Sequence, residues 1–369
     1  MKILVITGLY RSGTTLLQKS LNSNPKIHIL NQGIKAFFKK LENLFFTKMN
    51  YPFNDRFLGL EYFEPDKNYL NIFFDVEFTK SDINNLIKQI EDEIRFDNEI
   101  GNFQTYPAIK WIECLKLKLR PAKAIEVMND IIEAIHLYFG DKKSMVIGFK
   151  ELNLEQFVIP LINCFKERFK VIHIIRDPRA IMASRNYGSY VNSHGRGKLH
   201  PILYIARLWR NSIRYKYLLN NYHSNYLPVK YELLVKDSVQ ELTNICRFID
   251  IDYSEEMLDS SKYKNEAGKI WKSNSSFHNN VDGFDTAPID RWKKILPKSE
   301  TAALEFMCKY DMIREGYTLE NNDEEEFNSF INHQDDIKNI KDWANKMNLI
   351  LDMKQKKYEI SRDYLLHYT

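Results

Sequence analysis

The sequence of 369 residues is poor in cysteine, in net charge and in long apolar runs. Its four cysteines are far apart, so neither metal-ligand spacing nor the disulfide framework of a secreted protein is present. The formal net charge of +4 is small for this length and gives no support to nucleic-acid binding. No run reaches the roughly 18 apolar residues of a membrane helix, and MKILVITGLYR is interrupted too early for a signal peptide. We therefore expect a cytoplasmic protein whose thiols are reduced and lie in the core.

The stretch GLYRSGTT, residues 8–15, has the outline of a phosphate-binding loop that lacks its lysine. Gly8 and Gly13 follow the apolar run ILVIT with G-x-x-x-x-G spacing, and two threonines come next. In an NTP-binding loop, a lysine follows the second glycine and contacts the terminal phosphates, and the next hydroxyl holds Mg²⁺. Here Thr14 occupies the lysine position, and Arg11 inside the loop is the nearest cation. The sequence therefore predicts an anion site that works without this lysine and its metal ion.

Apolar runs rich in β-branched residues alternate with helical segments along the chain. We predict buried strands at 2–7, 145–150, 169–175 and 227–231. We predict helices at 14–25, 154–168, 201–221, 238–250 and 299–315, with another that begins at Pro178. This alternation is typical of the α/β class, and it predicts a P-loop-type, doubly wound parallel sheet flanked by helices. Ligands of such sheets bind at the carboxyl ends of the strands.

Two further regions extend this core. We predict a large helical insertion at about residues 35–140. Its function is either that of a lid or acceptor-binding region, or simply that of a subdomain that packs on the core. After the acidic linker NNDEEEF, apolar residues recur at three- and four-residue steps from Ile337 to Leu351, which predicts an amphipathic helix. That helix either packs on the body of the protein or contacts a partner, such as a second copy in a homodimer. We divide the chain into a domain at 1–318 and a C-terminal helical extension at 319–369.

A second strand-to-helix turn, RDPRAIMASR at 176–185, supplies another cation. Asp177 is a good N-cap and Pro178 a good first helical residue, so Arg176 should lie at the tip of a strand. The two turns together offer two cations and no evident metal-binding carboxylate. Backbone N–H groups of residues 12–15, at the start of a helix, add to an anion site. A sulfuryl group suits such a site, because it bears less charge than a phosphoryl group and can be transferred without a metal ion.

GLYRSGTTLLQKSLNSNP, followed by VIHIIRDPRAIMAS, resembles the sulfotransferases that use 3′-phosphoadenosine 5′-phosphosulfate (PAPS). The first segment is similar to the family's 5′-phosphosulfate loop, in which Lys or Arg precedes x-Gly-Thr-Thr. The second is similar to its 3′-phosphate motif, an arginine at a strand end with a serine eight residues later. Segments that resemble bacterial and tyrosylprotein-type members are GFKE, VKYELLV, WKSNSSF, IDRWKKILP and EGY. The resemblance covers about residues 1–30 and 145–318, and it excludes the insertion and the tail.

The resemblance implies a role for particular residues in this chain. The implied PAPS-binding residues are Arg11, Ser12, Gly13, Thr14, Thr15, Arg176, Ser184, Tyr231 and Ser275. Among them, Arg176 and Ser184 would hold the 3′-phosphate, and Tyr231 would border the adenine. Lys150 would act with Arg11 to stabilise the charge that develops on the leaving oxygen and the sulfuryl oxygens. The implied reaction is metal-independent in-line transfer to a hydroxyl or amine of a carbohydrate, lipid or other small metabolite.

The sequence departs from the family at the general base. An acceptor hydroxyl must lose its proton as it attacks sulfur. Tyrosylprotein-type members place a Glu after the strand that follows the first helix, whereas IHILNQGI has Asn31 and Gln32 there. Glu151, beside Lys150 at a strand tip, has the best location for the base. Further candidates are His194, His200, Glu61 and Glu64.

Two other classes of function stay open at this point. A P-loop kinase or NTPase would use the same strand–loop–helix unit, although the missing lysine and metal-binding Asp argue against it. A non-catalytic nucleotide-binding protein would keep the Arg11 and Arg176 pockets without chemistry, and the absence of the family's Glu favours it. The leading prediction is a PAPS-dependent enzyme with no bound metal.

Overall fold

The computed structural model describes residues 1–48, 74–99, 108–140, 143–188, 200, 202–265, 268–271 and 283–332. The strands are β1 (Lys2–Gly8), β2 (Ile27–Asn31), β3 (Glu77–Phe78), β4 (Ala122–Lys123), β5 (Val146–Lys150), β6 (Phe169–Ile175) and β7 (Tyr226–Lys230). The first helices are α1 (Thr14–Leu21), α2 (Lys35–Lys48), α3 (Lys80–Glu99), α4 (Ala108–Lys118), α5 (Ala124–Phe139), α6 (Glu155–Phe165) and α7 (Pro178–Asn186). The remaining helices are α8 (Ile202–Leu219), α9 (Tyr231–Lys236), α10 (Ser238–Phe248), α11 (Trp292–Ile295), α12 (Lys298–Arg314) and α13 (Asp323–Asn332).

Five strands form a parallel sheet in the order β2-β5-β1-β6-β7. β1 lies at the centre because its run of apolar residues can be buried on both faces. Gly148 of β5 lies so close to β1 that a Cβ atom there would overlap the carbonyl oxygen of Leu4. The predicted parallel sheet is confirmed, and the carboxyl ends of all five strands lie along one edge.

Helices cover both faces of the sheet and enclose two hydrophobic cores. Ile3 and Val5 of β1 belong to the larger core, which is formed with α2 to α8 and α12. Leu4 and Ile6 point the other way into the smaller core, which α1, α9 and α10 complete. The alternation along β1 therefore buries the strand between two layers, and the doubly wound fold is confirmed.

The first helix is shorter than the sequence predicts. We predicted that it reaches Pro25, but α1 ends at Leu21. The Asn22 side chain accepts a hydrogen bond from the Ile29 N–H and donates one to the Ile29 carbonyl, both at 2.8 Å. These bonds turn the chain towards β2 instead of continuing the helix.

The insertion between β2 and β5 is helical, as predicted, with a short antiparallel pair of β3 and β4. Its aromatic side chains pack on the sheet. The ring centroids of Phe38 and Phe149 lie 6.0 Å apart, and Phe38 is 4.9 Å from Phe157. Trp111 is fully buried. The described part of the insertion therefore shares a core with the sheet.

The C-terminal extension begins with α13, which packs on α12. Lys309 of α12 pairs with Asp323 and with Glu326, the latter at 2.8 Å. The amphipathic helix predicted at 337–351 lies outside the described residues. Among the helices that the structure describes, none is long and apolar enough to cross a membrane. Three of the cysteines are buried, whereas Cys164 is exposed, so the expectation of four core thiols was wrong.

Candidate active site

The loop between β1 and α1 is a tight turn with two left-handed residues. Arg11 has φ 64° and Gly13 has φ 101°. A side chain at Gly13 would overlap the ring of Tyr231, so the position requires glycine for space as well as for conformation. The N–H and the Oγ of Ser12 both donate to the Leu9 carbonyl, at 3.2 and 2.6 Å. The Ser12 hydroxyl therefore stabilises the loop itself.

The loop leads directly into the N-terminus of α1. Gly13 is its N-cap and provides no side-chain cap. Thr14, which is buried, and Thr15, which is half-buried, follow as the first helical residues. Free N–H groups at a helix start, with hydroxyls beside them, form a site for an anionic oxygen.

The two sequence motifs meet through their side chains. β1 and β6 are neighbours with Gly8 opposite Ile174, so the turns that follow them are adjacent. Arg11 Nε donates a hydrogen bond to Ser184 Oγ, at 2.9 Å. Ser184 lies in α7 and is buried. The structure therefore brings together residues that are 173 positions apart in the chain.

Arg176 lies at the tip of β6, as predicted, and is buried. Its guanidinium stacks on the ring of Tyr231, with 4.2 Å between the Arg176 Cζ and the ring centroid. Burial raises the pKa of the Tyr231 hydroxyl, and the nearby Arg176 charge lowers it to a smaller degree. Tyr231 is the first residue of α9, directly after β7. The predicted cation and aromatic ring thus form one stacked unit beside the loop.

The sequence reasoning missed the role of the second arginine of the RDPR segment. Arg179 is buried, and its guanidinium donates to both oxygens of Asp177 and pairs with Glu305 of α12. Its Cζ also lies 4.0 Å from the ring centroid of Trp292. Asp177 caps α7 by accepting the Arg179 N–H at 2.8 Å. The closely spaced opposite charges in RDPR are the sequence feature from which this cluster could have been predicted. The cluster fixes α7 against the C-terminal helices.

Lys150 and Glu151 lie at the tip of β5, next to the loop. Lys150 stands in register with Ile6 of β1 and Asn31 of β2, and it is buried. The Glu151 side chain is fully buried, and its Oε1 accepts the N–H of Ile34 at 3.0 Å. Within the described part of the chain, Glu151 Oε2 has no hydrogen-bond partner. Burial raises the pKa of Glu151 to about 7, against the opposing effects of the Ile34 N–H and the Lys150 charge.

His200 is a poor candidate for the base. Burial and the charge of Arg185 lower its pKa to about 3. The Arg185 guanidinium, which only donates, lies 2.6 Å from His200 Nε2. Nε2 is therefore the accepting nitrogen, and Nδ1 carries the hydrogen that faces the Tyr10 hydroxyl at 3.1 Å. Since its lone pair is occupied by a cation, the imidazole has no free site for a proton.

Ser275 and the candidate bases His194, Glu61 and Glu64 lie outside the described residues. Asn31, in the position of the family's acid, is buried at the tip of β2. Among the described residues, no group of His, Cys, Asp and Glu side chains is arranged to hold a metal ion.

Comparison with known proteins gives one family. The model of the sulfotransferase domain matches residues 2–316. No curated protein sequence matches the chain. Among solved structures, the sulfotransferase domain from the Synechococcus PCC 7002 olefin synthase is 19% identical, with 80% of this chain and 88% of that chain covered and a TM-score of 0.47. The sulfotransferase domain from the curacin biosynthetic pathway is 16% identical, with 86% and 98% covered and a TM-score of 0.49.

A third similar structure is retinol dehydratase in complex with androsterone and the inactive cofactor PAP, at 15% identity, with 84% of this chain and 80% of that chain covered and a TM-score of 0.37. The family model covers most of the sequence, and the predicted family and the predicted enzyme class are confirmed. The chain belongs to the sulfotransferase domain family, whose members are enzymes that transfer a sulfuryl group.

Proposed function

We propose that the protein transfers the sulfuryl group of PAPS to a hydroxyl or amine of a carbohydrate, lipid or other small metabolite. The observation that supports this proposal best is the contact of Arg11 with Ser184 at 2.9 Å. It joins the loop that resembles a 5′-phosphosulfate site to the helix that resembles a 3′-phosphate site. A single elongated ligand with an anionic group at each end fits this arrangement better than a simple nucleoside triphosphate.

The residues at the strand tips suit a phosphosulfate. The N-terminus of α1 offers backbone N–H groups, and Thr14 and Thr15 offer hydroxyls. Lys150 at the tip of β5 and Arg11, which contacts Ser184 after β6, provide two positive charges at neighbouring strand ends. PAPS, when bound, supplies an activated sulfuryl group. The chain contributes cations that favour the extra negative charge of the transition state, and this electrostatic effect replaces the metal ion of an NTPase.

Glu151 is the residue that we propose as the general base. One of its carboxylate oxygens is fixed by the Ile34 N–H, and the other has no partner within the described part of the chain. A carboxyl with a pKa of about 7 is half ionised near neutral pH and accepts a proton much more readily than an ordinary Glu. The neighbouring Lys150 favours its ionised form. Glu151 therefore holds the proton that leaves the acceptor hydroxyl.

Ligand binding measured by thermal shift tests the proposal. We expect adenosine 3′,5′-bisphosphate to raise the melting temperature and ATP with Mg²⁺ to have little effect. The Arg11→Ala variant should lose that response, while a control variant of an exposed arginine, Arg247→Ala, should keep it. Stabilisation by ATP with Mg²⁺ alone would favour a kinase or NTPase.

Transfer of ³⁵S from PAPS to a panel of sugars, sterols and phenols would then identify the acceptor class. A cytoplasmic location and a homodimer formed through the C-terminal helix remain predictions.

A further inference from the structure

His200 is a poor base, yet it contacts the loop on which the proposed chemistry depends. We propose that His200 is a positioning residue, which holds Tyr10 and thereby fixes the backbone of the phosphosulfate loop beside Arg11. This inference rests on the proposed function, because it concerns the loop that would bind the 5′-phosphate of the nucleotide.

The backbone of His200 is fixed by Asn186, the last residue of α7. The Asn186 side chain donates to the His200 carbonyl at 2.9 Å and accepts the His200 N–H at 2.8 Å. Asn186 is itself buried. A side-chain amide that bonds both backbone groups of one residue fixes the position and the direction of that residue. His200 is therefore attached to the end of α7, although it comes 14 residues later in the chain.

The imidazole ring of His200 is oriented by Arg185. The guanidinium of Arg185 donates to Nε2 at 2.6 Å, so Nδ1 carries the hydrogen of the neutral ring. Burial, and to a smaller degree the Arg185 charge, lowers the pKa of His200 to about 3, so the ring is neutral at physiological pH. The ring of Tyr204 packs on it edge to face, with 5.1 Å between the centroids. His200 thus presents one N–H group in one fixed direction.

This N–H group faces the hydroxyl of Tyr10, with 3.1 Å between His200 Nδ1 and the Tyr10 oxygen. The two rings meet edge to face, with 5.4 Å between their centroids and 88° between their planes. Burial raises the pKa of the Tyr10 hydroxyl, which stays neutral, and the ring packs against the larger core. The Tyr10 side chain is therefore held by the core along its ring and by His200 at its hydroxyl.

Tyr10 is important for the loop because the next residue is Arg11. Arg11 has φ 64°, a left-handed conformation that is unfavourable for a residue with a side chain, so its neighbours must maintain it. On one side, the N–H and the hydroxyl of Ser12 donate to the Leu9 carbonyl. On the other side, Tyr10 is held by His200. The loop backbone is therefore fixed both before and after Arg11.

Three consecutive residues at the end of α7 act together on this loop. Ser184 accepts a hydrogen bond from Arg11 Nε at 2.9 Å. Arg185 and Asn186, which follow it, fix the ring and the backbone of His200. One helix end therefore sets the direction of the Arg11 side chain and, through His200, the position of the backbone that precedes it. Loss of the His200 contact should loosen the loop at the residue before its cation.

Two ligands that differ only in the 5′-phosphate test this role. The dissociation constants of adenosine 3′,5′-bisphosphate and adenosine 3′-monophosphate are measured by calorimetry for the wild type, His200→Leu and His200→Asn. Leu and Asn have similar shapes and both remove the ring, but only Asn keeps an N–H donor near the position of Nδ1. We expect the Leu variant to bind the bisphosphate about tenfold more weakly and the monophosphate within about twofold of wild type, and the Asn variant to bind both within about threefold. Equal weakening of both ligands, equal effects of Leu and Asn, or no effect of Leu would contradict the positioning role.

Removal of the same hydrogen bond from the loop side gives a test that stands even if the His200 variants do not fold. Tyr10→Phe keeps the ring and loses the hydroxyl, and it should weaken the bisphosphate about tenfold. In the double variant with His200→Leu, the weakening should exceed that of either single variant by no more than about twofold, because both changes remove one interaction. Wild-type affinity of Tyr10→Phe, or additive effects in the double variant, would show that His200 does not act through Tyr10. Tyr310→Phe, an exposed change of the same kind, should bind both ligands as the wild type does. A wild-type protein that binds neither ligand would refute the proposed function itself, which is a separate outcome.

Discussion

Replacement of Glu151 by Gln tests whether a neutral carboxyl is kept in the core at the tip of β5. The wild-type carboxyl has its pKa raised from 4.5 to about 7 because it is fully buried. A group whose pKa is higher in the folded protein binds its proton more tightly there than in the unfolded chain. Its contribution to stability is therefore complete below pH 4.5 and is lost as the pH rises through 7.

The expected size of this effect follows from the shift. A change of about 2.5 pKa units corresponds to about 3 kcal/mol, at 1.36 kcal/mol per unit. The Gln variant has no proton to lose and can still accept the Ile34 N–H through its amide oxygen. Relative to wild type, the variant should thus gain about 2–3 kcal/mol of unfolding free energy between pH 5 and pH 8.

Urea denaturation at several pH values measures this difference directly. For an exposed control, Glu167→Gln, the unfolding free energy should change with pH in the same way as that of the wild type. In transfer assays, the kcat of the wild type should rise with pH through about 7, and the Glu151→Gln variant should lose about 10²–10⁴-fold in kcat. If the unfolding free energies of variant and wild type stay parallel from pH 5 to pH 8, the carboxyl is not neutralised by burial. A variant with wild-type kcat would exclude Glu151 as the base.

Three other substitutions have clear expected outcomes. Gly148→Ala should prevent folding or lower the unfolding free energy by at least about 3 kcal/mol, because its Cβ would overlap the Leu4 carbonyl in the central strand pair, and circular dichroism melting would show this. Arg179→Met should lower the unfolding free energy measured by urea denaturation by about 3–5 kcal/mol, since it leaves Asp177 and Glu305 as buried charges without their cation. Arg11→Lys should lower kcat by about 10-fold or more, because lysine keeps the positive charge but lacks the forked N–H donors of the guanidinium. Its melting temperature should stay within a few degrees of wild type, since Arg11 is a half-buried loop residue. An unchanged kcat for the lysine variant would show that charge alone is enough at this position.

Four of the five strands of the parallel sheet could be predicted from the sequence because each is a short apolar run between turn residues, whereas the edge strand β2 was not predicted from its pattern. The tips of β1 and β6 were also predictable, since GLYRSGTT and RDPR combine strand ends with helix starts. The Arg11–Ser184 contact required the order of the strands, which periodicity does not give. Only the placement of β6 beside β1 makes these two turns neighbours.

The roles of individual charges were harder to predict. Arg176 and Arg179 are three residues apart and have the same chemistry, yet one donates to carbonyls of two loops and the other neutralises two buried acids. Sequence spacing cannot distinguish these environments, because the partners Pro288 and Glu305 come from more than a hundred residues downstream. The raised pKa of Glu151 likewise depends on its burial in the folded protein, for which one sequence contains no motif.

The strand order β2-β5-β1-β6-β7 has a consequence for how new specificities could be engineered. The long insertion lies between β2 and β5 in the chain, in the half of the sheet that carries Lys150 and Glu151, whereas Arg176, Ser184 and Tyr231 come from the opposite half. An exchange of the insertion for the equivalent region of another family member would therefore reach Glu151 and the core, because the Ile34 N–H binds Glu151 and the ring of Phe38 packs near Phe149. Such a chimera would have to keep Ile34 and the aromatic side chains that face the sheet, whereas Arg176, Ser184 and Tyr231 would be unaffected by the exchange.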